Sequence, residues 1–411
     1  MFTLEKTLII EKNITKKSAD LPKPAFFLDI ETTGLSAQRN FIYCVGTACR
    51  IPENKWLIRQ FFAGTRAEEP ALLQALNSYL EKSPGTIITY NGTTFDLPFL
   101  EKRCRHYGLC FAGTALPKLD LYREAKELKA LLSLPRLRQK DIEAFFGIRR
   151  EDRYDGGRLI DVYFAYEGTQ DPDLLKLLVL HNFEDMAGMI KILPLLSYRD
   201  LRDGAFRIRD ITFDTADTND PVSRKKADSI PPTLPETGEQ AVRGEVSFLL
   251  SYDLLPRPVY HTADRGKILL KESSGMIKLP LIYRTLYYYL PDCKNYYYLP
   301  AEDTVIHKSI GRFTESAYRE PATKDNCRLR KTGWFLPARK SDAFTCFQAG
   351  RSDTDIFWSL DELSAPAGAP GVKREKLHNT ENSADAGCDF LTEEKADAVR
   401  QLLIFFLRSI R

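Results

Sequence analysis

Two acidic residues one position apart, Asp29 and Glu31, are the part of this sequence best suited to metal chemistry. They lie in the segment 26–35 (FFLDIETTGL), where apolar residues precede Asp29 and a Thr-Thr-Gly turn follows Glu31. This pattern predicts a buried strand, and its period of two places both carboxylates on one face. Because two carboxylates so close repel each other, such a strand usually has a cation nearby. The alternative is an edge strand with a solvated acidic end, which is the commoner interpretation of an isolated Asp-x-Glu.

Two further acids and a histidine could join this pair. Asp96 follows a strand predicted at 86–90 and lies at the start of a predicted helix. His181 precedes Asp185 by four residues in a helix predicted at 172–193, so the two side chains share one helix face. Carboxylates bind hard divalent cations, and two cations about 3.5–4 Å apart can bind the attacking and leaving oxygens of a phosphodiester. An imidazole beside them can accept a proton from water, unless His181 is only a helix histidine bonded to Asp185.

Length and composition limit the fold and the compartment. A chain of 411 residues is too long for one ordinary core, and its 43% hydrophobic content is that of a globular protein, so we expect two domains. The formal charge of +3 is small, so an anionic partner would have to bind to local basic patches. Eight cysteines without a Cys-x-x-Cys pair argue against a zinc ribbon and a disulfide scaffold. We find no signal peptide or membrane span, which favours a cytoplasmic protein.

The order of predicted elements indicates the architecture. Three strands, a helix, a strand and several helices favour an α/β fold with a mixed sheet flanked by helices. A composition rich in Asp, Thr, Pro, Ser and Lys marks a linker, and β-like runs follow it. The expected division is an N-terminal extension at 1–23, the α/β domain at 24–205, the linker at 206–244 and a C-terminal α+β domain at 245–411 with a mobile loop at 363–386.

Three segments together resemble the exonuclease motifs of the DEDD (DnaQ-like) superfamily. They are 28–35 (LDIETTGL), 90–100 (YNGTTFDLPFL) and 181–185 (HNFED). The sequence is most similar to the YprB-type ribonuclease H-like family, predicted nucleases whose third motif is also His-Asn-x-x-Asp, over about residues 24–196. This resemblance implies a ribonuclease H-like fold, two Mg²⁺ or Mn²⁺ ions and 3′→5′ exonuclease-type hydrolysis. The implied partner is a nucleic acid, either single-stranded or at a 3′ end of DNA or RNA.

The resemblance also implies roles for individual residues. The implied metal ligands are Asp29, Glu31, Asp96 and Asp185. In the histidine branch of the superfamily the base precedes the last Asp by five residues. Here the offset is four, as in the tyrosine branch, so His181 could take the place of the tyrosine and orient the water. We predict substrate contacts for Thr32 and Gly34, which offer a hydroxyl and an open backbone, and for Asn91, which could instead cap the helix near Asp96.

The C-terminal half contains tyrosine runs at 287–289 and 296–298, and the basic residues Arg328, Arg330 and Lys331. This composition suits stacking of unpaired bases with phosphate contacts, although alternating tyrosines on a half-buried sheet more often serve packing. For the whole protein, the alternative to a nuclease is a non-catalytic nucleic-acid-binding module on the same fold. The presence of all four acids favours the enzyme, since a binding module has no need of them.

Overall fold

The computed structural model describes residues 1–10, 21–22, 24–82, 85–151, 156–214, 243–263, 265–363 and 391–410. The chain forms two compact units. Unit 1 comprises Met1–Leu201, Leu254–Arg257 and Ile410–Arg411, and unit 2 comprises Arg202–Asp253 and Pro258–Ser409. Most of the predicted linker (206–244) and of the predicted loop (363–386) lies outside the described residues. Among the described residues, no helix is long and apolar enough to cross a bilayer.

Unit 1 is built on a six-stranded mixed sheet. Its strands are β1 (Phe2–Ile9), β2 (Ala25–Thr32), β3 (Ile42–Ile51), β4 (Lys55–Phe62), β5 (Thr86–Thr89) and β6 (Lys118–Asp120), in the order β1-β4-β3-β2-β5-β6. The first four pair antiparallel, whereas β5 runs parallel to both β2 and β6. The sequence predicts that residues 1–23, which include β1, form an extension outside the domain. Strand β1 is instead an edge strand of the sheet, and its alternation of half-buried and exposed residues suits that position.

Helices pack on the sheet and form two apolar clusters with it. They are α1 (Glu69–Lys82), α2 (Asp96–His106), α3 (Leu121–Leu128), α4 (Gln139–Phe145), α5 (Gly156–Thr169), α6 (Pro172–Lys191) and α7 (Leu195–Arg202). In one cluster Leu72 of α1 and Leu100 of α2 pack with Leu28 of β2. In the other, Tyr163 of α5 stacks on Tyr43 of β3, with ring centroids 4.3 Å apart. The mixed α/β sheet flanked by helices, predicted from the order of elements, is confirmed.

Unit 2 is rich in sheet. Its larger sheet contains β7 (Phe206–Asp214), β8 (Arg243–Tyr252), β9 (Val259–Ala263), β10 (Gly266–Lys271), β11 (Ser274–Tyr289), β15 (Arg328–Ala338) and β16 (Ile356–Ser359). Its smaller sheet contains β12 (Tyr296–Leu299), β13 (Thr304–His307) and β14 (Glu320–Pro321). One long helix, α8 (Glu393–Ser409), completes the described elements together with short helical turns. The predicted linker begins too early, because β7 pairs with β8 and buries Phe206 and Ile211.

Candidate metal centre

Strand β2 presents Asp29 and Glu31 on one face, and both side chains meet α6. Asn182 of α6 donates from Nδ2 to Oδ2 of Asp29 at 2.9 Å. The ring Nε2 of His181, also on α6, lies 3.8 Å from Oε1 of Glu31. The pairing of β2 with β3 shifts register between Glu31 and Thr32, so the regular ladder is interrupted where the acids lie.

Asp96 joins this pair through a backbone hydrogen bond. It is the first residue of α2, and its side chain is buried. Its Oδ1 accepts from the backbone N–H of Ile30, the residue between the two acids of β2, at 3.1 Å. A contact between residues 66 positions apart in the sequence therefore sets Asp96 beside Asp29 and Glu31.

Helix α6 contributes His181 and Asp185 from adjacent turns. The His181 Nε2 lies 3.3 Å from Oδ2 of Asp185. His181 is buried within the helix, so the alternative of a histidine at the helix surface or start is wrong, although its contact with Asp185 is present. Glu31, His181 and Asp185 each offer one ligand atom, and these three atoms lie within 4.8 Å of one another. This is close enough for them to share a metal ion.

The buried acids perturb one another electrostatically. Burial raises the pKa of Asp29 well above its usual range, and the charges of Asp185, Asp96 and Glu31 raise it further. Burial also raises the pKa of Asp96 to about 7, although the hydrogen bond from Ile30 opposes that shift. Both shifts arise because an ionised carboxylate loses hydration and meets like charges. A divalent cation among these oxygens would offset both causes, so the donor set fits a hard metal ion.

Arg150 supplies positive charge at one side of the cluster. Its Nη1 donates to Oδ1 of Asp185 at 2.5 Å, while Nε and Nη2 donate to the two carboxylate oxygens of Glu143 at 2.5 Å each. Burial lowers the pKa of Arg150, but its bonds with Glu143 and Asp185 more than offset this, so its pKa lies above the usual range. The guanidinium is therefore charged, and it occupies one oxygen of Asp185.

Comparison with known proteins places this site in a family. A family model described as RNase_H superfamily matches residues 26–197. The chain is 32% identical over 178 residues to the uncharacterized protein YprB of Bacillus subtilis (strain 168), covering 41% of this chain and 40% of that protein. Residues 26–197 form a YprB-type ribonuclease H-like domain. This chain thus spans well under two thirds of the length of YprB.

Other matches to this chain are weaker. A DNA polymerase of Thermococcus sp. (strain 9oN-7) is 27% identical over 113 residues, covering 26% of this chain and 15% of the polymerase. Among solved structures, a family B DNA polymerase from Pyrobaculum calidifontis aligns with a TM-score of 0.34 at 15% identity, covering 43% of this chain and 24% of that one. A structure titled "apo form of the nuclease" aligns with a TM-score of 0.29 at 18% identity, covering 48% of this chain and 80% of that one.

Asn182 has a position in this domain that the sequence analysis did not assign. Its amide oxygen accepts from Nε2 of Gln60 on β4 at 3.0 Å, while its amide nitrogen binds Asp29. Gly46 on β3 makes the approach possible, since a Cβ there would overlap the Asn182 oxygen. Asn182 stands in the third motif and precedes Asp185 by three positions, so helical spacing could have indicated its shared face.

A second group of residues without predicted roles holds Asp185. Gln139 of α4 donates from Nε2 to the backbone oxygen of Asp185 at 2.8 Å and to Oε1 of Glu143 at 2.9 Å. A Cβ at Gly188 would overlap Glu143, so glycine at this position lets α4 and α6 approach closely. Nothing in the spacing of Glu143 and Arg150 indicates this arrangement, because the contact with Asp185 is long-range.

The predicted substrate residues lie at the end of β2, in the turn that follows it and in the turn before α2. Thr32 donates from Oγ1 to the backbone oxygen of Gly34 at 2.9 Å. Gly34 has φ +153°, and a Cβ there would lie 2.6 Å from Nδ2 of Asn40, so the turn requires glycine. The placement of these residues next to Glu31 follows directly from the end of β2, and their substrate contacts stay predictions.

Asn91 lies in the turn that leads to α2. The alternative that it caps this helix is wrong: Phe95 is the cap residue, and the Asn91 side chain instead accepts from Oγ1 of Thr94 at 2.8 Å. Asn91 adopts φ +65°, and its backbone N–H donates to Oδ1 of Asp120 at 2.8 Å. Asp120 also accepts from the backbone N–H of Thr93 at 3.1 Å, so this buried carboxylate fixes the turn before Asp96.

Proposed function

We propose that the ribonuclease H-like domain is a metal-dependent nuclease that hydrolyses phosphodiester bonds of DNA or RNA, acting as a 3′→5′ exonuclease. The observation that carries this proposal is the meeting of ligand atoms from Glu31, His181 and Asp185 within 4.8 Å. Asp96 adds a further buried carboxylate through its bond to Ile30. A solvated acidic strand end would not bury these groups against one another, since ionised carboxylates lose hydration there.

The proposed ligands of two Mg²⁺ or Mn²⁺ ions are Asp29, Glu31, Asp96 and Asp185. When bound, such ions polarise the phosphodiester and lower the pKa of an attacking water. The protein contributes preorganisation: Asn182 holds Asp29, the Ile30 backbone holds Asp96, and Arg150 holds Asp185. Fixed carboxylates need little rearrangement when the charge of the reacting phosphate changes.

His181 is the proposed acceptor of the water's proton. Its Nε2 lies 3.3 Å from Oδ2 of Asp185 and 3.8 Å from Oε1 of Glu31, so a water that attacks a phosphodiester bound at these carboxylates would be within reach of the imidazole. An imidazole nitrogen in this position can accept the proton of an attacking water as a general base. The proposed contacts to the terminal nucleotide come from Thr32 at the end of β2, from Gly34 in the turn after it, and from Asn91 in the turn before α2.

One observation favours the alternative, a nucleic-acid-binding module without catalysis. The Arg150 guanidinium already binds Oδ1 of Asp185 at 2.5 Å. If this bond persisted, Asp185 would have a single oxygen for a metal ion, which would weaken the site. A measurement must therefore separate binding of metal from turnover.

The test uses 5′-labelled DNA and RNA oligonucleotides with free or blocked 3′ ends, incubated with Mg²⁺ or Mn²⁺. We expect a ladder of products shortened from free 3′ ends, no product from blocked ends, and no product with Asp96→Asn. Asp173→Asn is the matched control, because it makes the same change at an exposed acid on α6. Its ladder should equal that of the unmodified chain.

Other outcomes distinguish the alternatives. Internal products from blocked substrates would replace the exonuclease proposal with an endonuclease. A second outcome is that the unmodified chain cuts neither DNA nor RNA but gains thermal stability with Mn²⁺, and that Asp29→Asn removes this gain. That result would favour the alternative of a binding module without catalysis. Full activity in Asp96→Asn would refute the assignment of the site.

We also propose a cytoplasmic location. Of the eight cysteines, the seven in the described part of the chain are free thiols, at positions 44, 49, 104, 110, 293, 327 and 346. Free thiols are typical of proteins kept in a reducing compartment.

A further inference from the structure

One surface of unit 2 combines aromatic and basic side chains on two paired strands. In the antiparallel pair of β11 and β15, Tyr283 lies opposite Trp334, Tyr287 opposite Arg330 and Tyr289 opposite Arg328. Residues directly opposite in such a pair project on the same side of the sheet. We call these six residues the tyrosine face.

The tyrosine face is not needed for the apolar core of these strands. On the other side of β11 and β15, Leu286 and Phe335 are fully buried in a cluster with Phe347 and Phe357. By contrast, Tyr283 is 40% exposed and Arg330 is exposed. Packing therefore does not account for Tyr283 and Arg330, whereas Tyr287 and Tyr289 are half-buried.

The rings of the tyrosine face are held in position. Tyr283 and Trp334 meet edge to face with centroids 5.4 Å apart. The guanidinium of Arg328 lies 4.1 Å from the centroid of Tyr287, and both residues bind Asp303, the guanidinium at 2.6 Å and the phenol at 2.7 Å. Because Asp303 offsets the charge of Arg328, we assign Arg328 and Tyr287 a role in holding the tyrosine face in position and not in binding anions.

Two other arginines supply exposed positive charge at the same end of the sheet. Arg330 lies opposite Tyr287, and the exposed Arg351 lies with its guanidinium 5.6 Å from the centroid of Tyr289. Phosphates could meet these guanidiniums while the exposed rings remain available to bases. This combination of stacking surfaces and a phosphate-binding edge is what proteins use to bind unpaired nucleotides.

We propose that the tyrosine face binds single-stranded nucleic acid, with bases stacked on Tyr283 and Trp334 and phosphates bound by Arg330 and Arg351. A single strand fits better than a duplex, because paired bases are stacked on one another and do not offer their faces to protein rings. The proposal goes beyond the nuclease: binding at this face requires no metal and no residue of unit 1.

The chain carries a reporter for such stacking. Of its three tryptophans, Trp56 and Trp358 are each 1% exposed, whereas Trp334 is half-buried on the tyrosine face. The full chain is titrated in EDTA with a 15-nucleotide oligothymidine and the corresponding oligouridine, while tryptophan fluorescence and oligonucleotide anisotropy are followed. We expect quenching in the unmodified chain. In Trp334→Phe the quenching should disappear while anisotropy still reports binding.

Substitutions then separate stacking from phosphate contact. Tyr283→Leu should raise Kd about tenfold, and Tyr283→Phe, which keeps a ring, should restore it. Arg330→Gln should raise Kd and reduce the slope of log Kd against log salt by about 0.7. The matched controls are Tyr260→Leu and Lys271→Gln, since Tyr260 is 57% exposed on β9 and Lys271 lies over its ring at 5.9 Å. Both controls should leave Kd unchanged.

Three results would overturn the proposal. Binding without any change in tryptophan fluorescence would place the oligonucleotide elsewhere. Equal losses in the Tyr283→Leu and Tyr260→Leu variants would indicate a general effect of removing exposed aromatics, and tighter binding of duplex would exclude stacking. Circular dichroism and thermal unfolding verify that each variant is folded. Because EDTA removes divalent ions, this experiment does not depend on metal-dependent cleavage. Absence of oligonucleotide binding would leave the nuclease proposal intact, and absence of nuclease activity would leave the proposed binding at the tyrosine face intact.

Discussion

Replacing Arg150 by methionine should destabilise unit 1 strongly. Arg150 and Glu143 are only 8% and 1% exposed, and their bidentate contact lies next to Asp185, which is 19% exposed. Methionine fills much of the same volume but leaves Glu143 as a buried carboxylate without its cation. The Gln139 amide still donates to Glu143, but one neutral donor does not offset a buried charge.

The expected magnitude follows from the burial of this pair. Removing one partner of a buried ion pair costs about 3–5 kcal/mol, because the remaining charge is desolvated and unpaired. A tenfold change in an equilibrium constant corresponds to about 1.4 kcal/mol, so the population of the opened form should rise by about two to four orders of magnitude. Unit 1 should remain folded if its stability lies in the upper part of the usual range of about 5–15 kcal/mol.

Hydrogen–deuterium exchange, read by mass spectrometry in EDTA on peptides from β3 and β4, measures this change within unit 1. Combining Arg150→Met with Glu143→Gln removes the uncompensated charge, so the double variant should recover most of the protection. Lys176→Met is the matched control, because Lys176 pairs with Asp173 on α6 but the two side chains are 77% and 82% exposed. It should exchange like the unmodified chain.

Two outcomes would refute this reasoning about the ion pair. Exchange in Arg150→Met that matched the unmodified chain would mean that the buried pair contributes no net stability. A double variant that exchanged as fast as Arg150→Met would show that the loss arises from packing and not from the charge of Glu143.

Three further predictions follow from the site. In EDTA, the free energy of unfolding should fall between about pH 4 and pH 7, because the folded state holds the Asp96 proton up to a pKa of about 7 while the unfolded state releases it near 3.8. The Asp96 part of this loss is about 4 kcal/mol at most, and thermal unfolding against pH should show a smaller fall in Asp96→Asn, where the raised pKa of Asp29 still contributes. Gly188→Ala should destabilise by about 1–3 kcal/mol in urea unfolding, since its Cβ would overlap a carboxylate of α4, whereas Gly168→Ala, with open space around it, should not. Asn182→Ala removes the donor to Asp29 and one acceptor of Gln60, and we expect at least a tenfold slower initial nuclease rate, measured below the unfolding temperature of the variant.

Some errors of the sequence analysis have a common cause. The strand β1 falls in the predicted extension and β7 in the predicted linker, although both contain alternating apolar residues, Phe2 and Leu4 in β1 and Phe206 and Ile208 in β7. Each becomes a strand by pairing with a neighbour, β4 for β1 and β8 for β7. Local composition does not contain the partner strand, so these boundaries required the tertiary structure.

Within unit 2, sequence composition identified the tyrosines and arginines but not the side of the sheet on which they lie. The pairing of β11 with β15 decides that Tyr287 and Arg330 share a face while Leu286 lies in the core. A shift of one residue in this register would reverse the arrangement. The interpretation of these tyrosines as packing residues could therefore be assessed only from the strand pairing.

The sequence by itself determined which side chains lie on the same face of a strand or helix, because this depends only on short-range periodicity. A period of two put Asp29 and Glu31 on one face of β2, and a helical period put His181 near Asp185. Only the tertiary structure decided that these pairs meet, that Asp96 binds the backbone between the two acids of β2, and that Arg150 occupies an oxygen of Asp185. The physical reason is that bond geometry fixes the direction of neighbouring side chains, whereas contacts between distant segments depend on how the whole domain buries its apolar surface.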